Sequence, residues 1–130
     1  MTTVQEPAIF RDEFWIDVTR TDGRAFVTVR GEIDAYSAPV LRRELDDVTI
    51  SPGILCVDVD LSEVTFVDAA AIGVLCRAQR RLAGRGGSLA LVATTPGIDR
   101  VLELAGVVRL FTRPGAPQGP VASWVVAGVQ

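Results

Sequence analysis

The sequence predicts an α/β domain, a mixed β-sheet of about four to five strands with helices packed on it. Three observations carry that prediction. Two period-two runs, Phe14–Thr19 and Ala25–Gly31, flank Asp22-Gly23 and read as an antiparallel hairpin. Two dense apolar runs, Ile54–Val59 and Ser88–Ala93, read as interior strands. Helix-forming segments separate and follow them, as parallel neighbours require. The resulting order is strand-strand-helix-strand-helix-strand-helix.

In the first strand, Trp15, Asp17 and Thr19 share one face and the apolar residues share the other. The second strand should stop where Gly31-Glu32-Ile33-Asp34 breaks its alternation. A helix should begin near Ser37, whose hydroxyl can cap it, with Pro39 in the first turn where a missing N–H costs nothing. Val40, Leu41, Leu45 and Val48 recur at helical spacing, and Thr49–Gly53 contains Ser-Pro-Gly, a loop. Ile54–Val59 is apolar except for Asp58, so cover on both faces is expected. The stretch from Asp60 to Leu75 reads as a buried strand, a short polar-then-apolar turn and the first turns of the next helix. That helix, Ala69–Ala83, is built of strong helix formers and stops at Gly84. After the Ser88–Ala93 strand, Pro96-Gly97 opens a short helix with Ile98, Val101, Leu102 and Leu104 apolar, closed by Gly106. Val107–Phe111 is expected to be a last short strand or extended edge. The chain thus divides into an N-terminal extension (1–13), the domain (14–113), and a Pro/Gly connector with an apolar C-terminal segment (114–130). Within the last, Val121–Ala127 is too apolar to stand in solvent and should dock on the domain, with self-association into a homodimer as the rival use.

Composition narrows the function. With 48% hydrophobic and 22% charged residues in 130, the chain can bury a real core. A net charge of −3 gives no basic surface for nucleic acid, and Arg42-Arg43 and Arg77 with Arg80-Arg81 read as solvated helix faces. There is no His, which removes the commonest general base and zinc ligand. Asp58 and Asp60 share a strand face but lack a further ligand set, so no metal or other cofactor is expected. Gly84-Arg85-Gly86-Gly87 follows a helix, which is the wrong context for a phosphate-binding loop. No catalytic constellation remains, and an enzyme is not expected. Cys56 and Cys76 read as small core residues, a redox switch between them being the rarer alternative. No segment has a membrane span's length and the N-terminus has no leader, so the reading is a cytoplasmic protein without nucleic-acid or membrane partners.

Three segments carry more than class. They are Val29-Arg30-Gly31-Glu32-Ile33-Asp34 followed by Pro39 and Leu41-Arg42; Asp60-Leu61-Ser62-Glu63-Val64-Thr65-Phe66-Val67-Asp68-Ala69-Ala70-Ala71-Ile72-Gly73; and Leu91–Ile98 running into Arg100–Val107. In this order and spacing they resemble STAS domains of the anti-sigma factor antagonist type, over residues 14 to 113. The resemblance implies the STAS fold. It also implies protein–protein binding to an anti-sigma factor of the kinase-like, ATP-binding type, reversed in the family by phosphorylation of a Ser in an Asp-Ser-Ser-Gly turn. Here both Ser positions are alanines, Ala69 and Ala70, and the Gly position is Ala71.

The physics of that turn explains the family's switch. A helix N-terminus has unpaired N–H groups and a positive dipole end, so it tolerates a phosphate, which adds roughly two negative charges on a binding surface. Ala69, the lost phosphoacceptor, closes that route. Asp68 can cap the helix or contact the partner. Asp34 has the same two uses, a partner contact implied by the resemblance or a turn bonded to the backbone near Tyr36 and Ser37. The partner-binding set is then Asp34, Asp68, Ala69, Ala70 and Thr95. Ser62, Thr65, Thr94 and Thr95 are the hydroxyls near enough to serve as a substitute phosphosite, with turn hydrogen bonding as their ordinary use. The alternative functions are a sensory STAS module binding a small ligand or nucleotide, and a scaffold subunit of a multi-STAS complex.

Overall fold

The alternation of the first hairpin is what orients the sheet. In the computed structural model, which describes residues 2–4 and 14–113, Phe14, Ile16 and Val18 of strand β2 (Phe14–Thr21) are buried, and Trp15, Asp17 and Thr19 are half-exposed. Strand β3 (Arg24–Ile33) pairs antiparallel with β2 across Asp22-Gly23 and buries Ala25, Val27 and Val29 in phase with it. A short strand that the sequence does not mark, β1 (Thr2–Val4), pairs antiparallel with β2. Strands β4 (Cys56–Val67) and β5 (Ser88–Ala93) then run parallel to β3, and the five strands lie in the order β1-β2-β3-β4-β5. The sheet is therefore mixed, as the pattern predicts. The calls on the tail, Val121–Ala127 above all, lie outside the described residues.

Helices α1 (Ala38–Ile50), α2 (Ala69–Ala83) and α3 (Pro96–Ala105) make the connections and cover the core. From α1, Val40, Leu41, Leu45 and Val48 are buried; from α2, Ile72, Leu75, Ala78 and Leu82; from α3, Ile98 and Leu102. They close over Val27, Val29, Val57, Val59, Leu61, Leu89 and Leu91, all fully buried. Gly106 ends α3 in the left-handed region at φ 73°, where its N–H donates to Glu103 O and the next N–H, from Val107, donates to Leu102 O.

Several expectations are corrected. Strand β3 does not end at Gly31. Gly31 takes φ 92°, absorbs a register shift against β4, and lets the strand run on to a buried Ile33. By the same pairing, the strand expected at the start of the Asp60 stretch runs on to Val67, and Asp68 alone stands where a short turn was expected before the helix. Two irregularities against β3 change the burial rhythm so that Leu61, Val64 and Val67 face the core. Strand β4 is not covered on both faces, because Cys56, Asp58 and Asp60 opposite the core are only half-buried and Asp58 accepts a 2.7 Å bond from Arg24. Thr49 and Ile50 belong to α1. Val108–Leu110 is a 3-10 turn; only afterwards does Thr112 bridge to Ala90, with Phe111 buried beside it. Ser37 stands at the N-cap of α1 but makes no capping bond, since its own backbone is already helical (φ −91°, ψ −22°).

The basic clusters are not simply solvated faces. Arg42, Arg77 and Arg81 converge on Asp46, at 3.6, 3.2 and 2.9 Å, and so tie α1 to α2. Arg85 donates to the carbonyls of Thr49, Ser51, Pro52 and Ile54, which satisfies the C-terminal end of α1 and the loop after it.

Candidate functional site

The C-terminal ends of two parallel strands set the site. Ile33 of β3 pairs with Val67 of β4, so Asp34 and Asp68, the next residue of each chain segment, leave the sheet side by side. The Asp68 N–H donates to Ile33 O at 3.2 Å and fixes the two exits together.

Each carboxylate has a local structural role. Asp34 Oδ1 accepts from the N–H groups of Tyr36 (2.9 Å) and Ser37 (3.1 Å), while the Ser37 hydroxyl donates to Glu32 O (2.7 Å) and accepts from the Asp34 N–H (2.9 Å). This is a closed turn that delivers the chain into α1. Asp68 is extended (φ −113°, ψ −174°), and its Oδ1 accepts from Ala71 N at 3.1 Å, the geometry of an N-cap. Removing that acceptor leaves an unpaired N–H at the helix start. We expect Asp68→Ala to cost about 1 kcal/mol in urea unfolding and Asp68→Asn a few tenths at most. An unchanged midpoint for Asp68→Ala would take the capping role away from it.

Ala69 and Ala70 project from this start into solvent, and Ala71 is fully buried. The methyl group at Ala71 is thus a core contact. No hydroxyl stands at either exposed position, Ala69 or Ala70, in the first turn of α2.

Thr95 follows a different strand. Strand β5 last pairs with β4 at Ala93 opposite Asp60, well before β4 reaches Val67. There Thr95 caps α3, its Oγ1 accepting from Ile98 N at 3.2 Å. The Thr94 hydroxyl donates to Asp99 (2.7 Å) and accepts from Arg113 (2.9 Å). The Ser62 hydroxyl donates to Asp60 Oδ1 at 2.6 Å. These hydroxyls are in use as caps and turn bonds, and Thr65 is exposed on β4.

Two rim residues escape the sequence reading. Tyr36 is 66% exposed in the turn after β3, and Phe66 is 49% exposed one residue before the end of β4. Strict alternation would put Phe66 on the face of the buried Val64; the irregular pairing turns it outward. The signal available was their position, an aromatic on each side of Asp34 and Asp68.

Among the described residues no three potential ligands group as a metal site, and no helix is long and apolar enough to cross a membrane. Burial pushes the Cys76 thiol up, against a weaker opposing effect of Arg80, so its thiolate is disfavoured.

Comparison with known proteins agrees with this architecture. The family model described as "Mlab, STAS domain" matches residues 16–112. The anti-sigma-B factor antagonist of Listeria monocytogenes is 33% identical over 81 residues, which cover 62% of this chain and 70% of that protein. Its Bacillus subtilis counterpart is 28% identical over 106 residues, 82% of this chain and 95% of that one. The crystal structure of an anti-sigma factor antagonist from Mycobacterium paratuberculosis superposes with a TM-score of 0.70 at 25% identity, covering 95% of this chain and 97% of its own.

Proposed function

Because the chain belongs to the STAS domain family, we propose that it is a regulatory protein-binding module acting in the cytoplasm as an anti-sigma factor antagonist, and that phosphorylation at the family's usual position cannot release it. Its STAS domain is residues 14–113, and its partner is an anti-sigma factor of the kinase-like, ATP-binding type.

One observation carries the reading: Ala69 and Ala70 are exposed at the start of α2, beside Asp34 and Asp68, where the side chains present no hydroxyl. A phosphate there would add roughly two negative charges next to the Asp68 carboxylate and force a docked partner to desolvate them. Without an acceptor oxygen the repulsion cannot be switched on. Binding is then governed by how much of the chain is present and by competition for the partner. Asp34, Asp68, Ala69, Ala70 and Thr95 form the contact, Thr95 entering it as the cap of α3.

The test is capture from the cytosol of the source cells by immobilised wild type and Ala69→Ser, with and without ATP. Both should retain an ATP-binding anti-sigma factor, and ATP should release it from Ala69→Ser alone. Phosphate found on the wild-type chain together with loss of binding would overturn the unswitchable mechanism. Failure of both proteins to retain such a partner would overturn the antagonist reading itself.

A further inference from the structure

Resting on that reading, we propose that the anti-sigma partner seats an acidic helix in the groove between α1 and α2, with Arg42 and Arg77 as its counter-charges. The groove is a hollow of about 370 Å³ lined by Ala35, Ala38, Pro39, Ala70, Gly73 and Val74. None of these side chains is large enough to fill it. A Cβ added at Gly73 would meet nothing within 4 Å, so the space in front of it is open. Ala70 belongs to both the hollow and the rim, which makes the groove continuous with the candidate contact.

Charge selects the occupant. Arg42 and Arg77 complete the lining, and with Arg81 they share the single carboxylate of Asp46. The other carboxylates of α1, Glu44 and Asp47, line a different hollow with Arg43 and Ile50. At the rim, the Oδ1 atoms of Asp34 and Asp68 are engaged by backbone N–H groups. The lining of the groove thus carries two guanidinium groups and no carboxylate, in a chain whose net charge is −3. Arginine favours carboxylates through paired N–H donors, which is how an acidic side chain would be held here. A helix fits better than an extended strand, because small residues along two packed helices let a third helix approach closely with apolar residues at i, i+3 and i+4. Its acidic residues would flank that apolar stripe and reach Arg42 and Arg77.

The experiment measures the affinity of purified chain for the anti-sigma factor recovered with wild type, at low and high salt. Arg77→Glu should weaken binding by about tenfold or more at low salt, with the difference shrinking as salt rises. Since Arg77 also pairs with Asp46, the decisive comparison is Gly73→Asp against Gly73→Asn, which are nearly equal in size and remove no charged group; the Asp carboxylate, one helical turn before Arg77, adds a negative charge facing that guanidinium. The Asp variant should bind about tenfold more weakly than the Asn variant while melting at no lower a temperature. Equal affinities for the two, with Arg77→Glu at wild-type strength, would remove the groove from the contact and leave the antagonist reading standing. Saturable binding of ATP to the chain alone, lost in Arg77→Glu, would make the groove a small-anion site and overturn the helix. If wild type retains no anti-sigma factor, both readings fall.

Discussion

Gly87→Ala should lower the stability of the domain by about 3 kcal/mol, a large share of what a domain of this size has in total. A Cβ on Gly87 would stand 2.0 Å from Leu55 O, 2.8 Å from its carbonyl carbon and 3.0 Å from its Cα. The obstacle is backbone, so no rotamer change relieves it. Nor is that backbone free to retreat. The Leu55 N–H donates to Gly23 O at 3.1 Å, and Leu55 O accepts from Ser88 N at 2.9 Å where the β4–β5 pairing begins. Gly87 is held from its own side by a 2.8 Å bond from its N–H to Leu82 O. Relief must therefore break the hairpin contact, the first rung of the parallel ladder or the end of α2. Gly53→Ala is the control, in the same neighbourhood but with nothing within 4 Å of the added methyl, and should shift stability by no more than about 0.5 kcal/mol. Urea unfolding followed by far-ultraviolet circular dichroism measures both. A loss under about 1 kcal/mol for Gly87→Ala would mean that the two segments are not in such close approach.

What was legible in the sequence was whatever the chain encodes locally. Asp22-Gly23 between alternating runs fixed the hairpin, and Asp68 with Gly84 bracketed α2 to the residue. Pro96 and Gly106 did the same for α3. Strand β4 was half-legible, because its irregularities replace period two with buried Leu61, Val64 and Val67, a spacing that resembles a turn running into a helix. Ser37 looked like a cap from its type and place, but capping needs an extended backbone that only the Asp34 turn decides. The bonds of Arg77 and Arg81 to Asp46 and the Arg85 clamp join residues more than thirty apart, which no local pattern can specify. At the site, Asp34 and Asp68 are neighbours because parallel pairing ends at Ile33 and Val67; Thr95 follows β5, whose pairing with β4 stops at Ala93.

Phe66→Ala should weaken capture of the anti-sigma partner by about thirtyfold or more, roughly 2 kcal/mol, while leaving unfolding nearly unchanged. Tyr36→Ala should act the same way. Both follow from the proposed rim contact. A partner that covers the exposed part of a phenyl ring 49% exposed and a phenol ring 66% exposed gains that apolar area at little cost in side-chain entropy. Exposure alone does not make a contact, which gives the experiment its controls. Ile50 is also 66% exposed and Leu104 is 77% exposed, but they lie near the C-terminal ends of α1 and α3, away from the strand exits. Ile50→Ala and Leu104→Ala should therefore bind as wild type does. If all four variants lose affinity alike, general surface apolarity is responsible and not the rim. If none does, the contact lies elsewhere on the domain, and the exposed alanines at the start of α2 lose their meaning as the site of a switch removed.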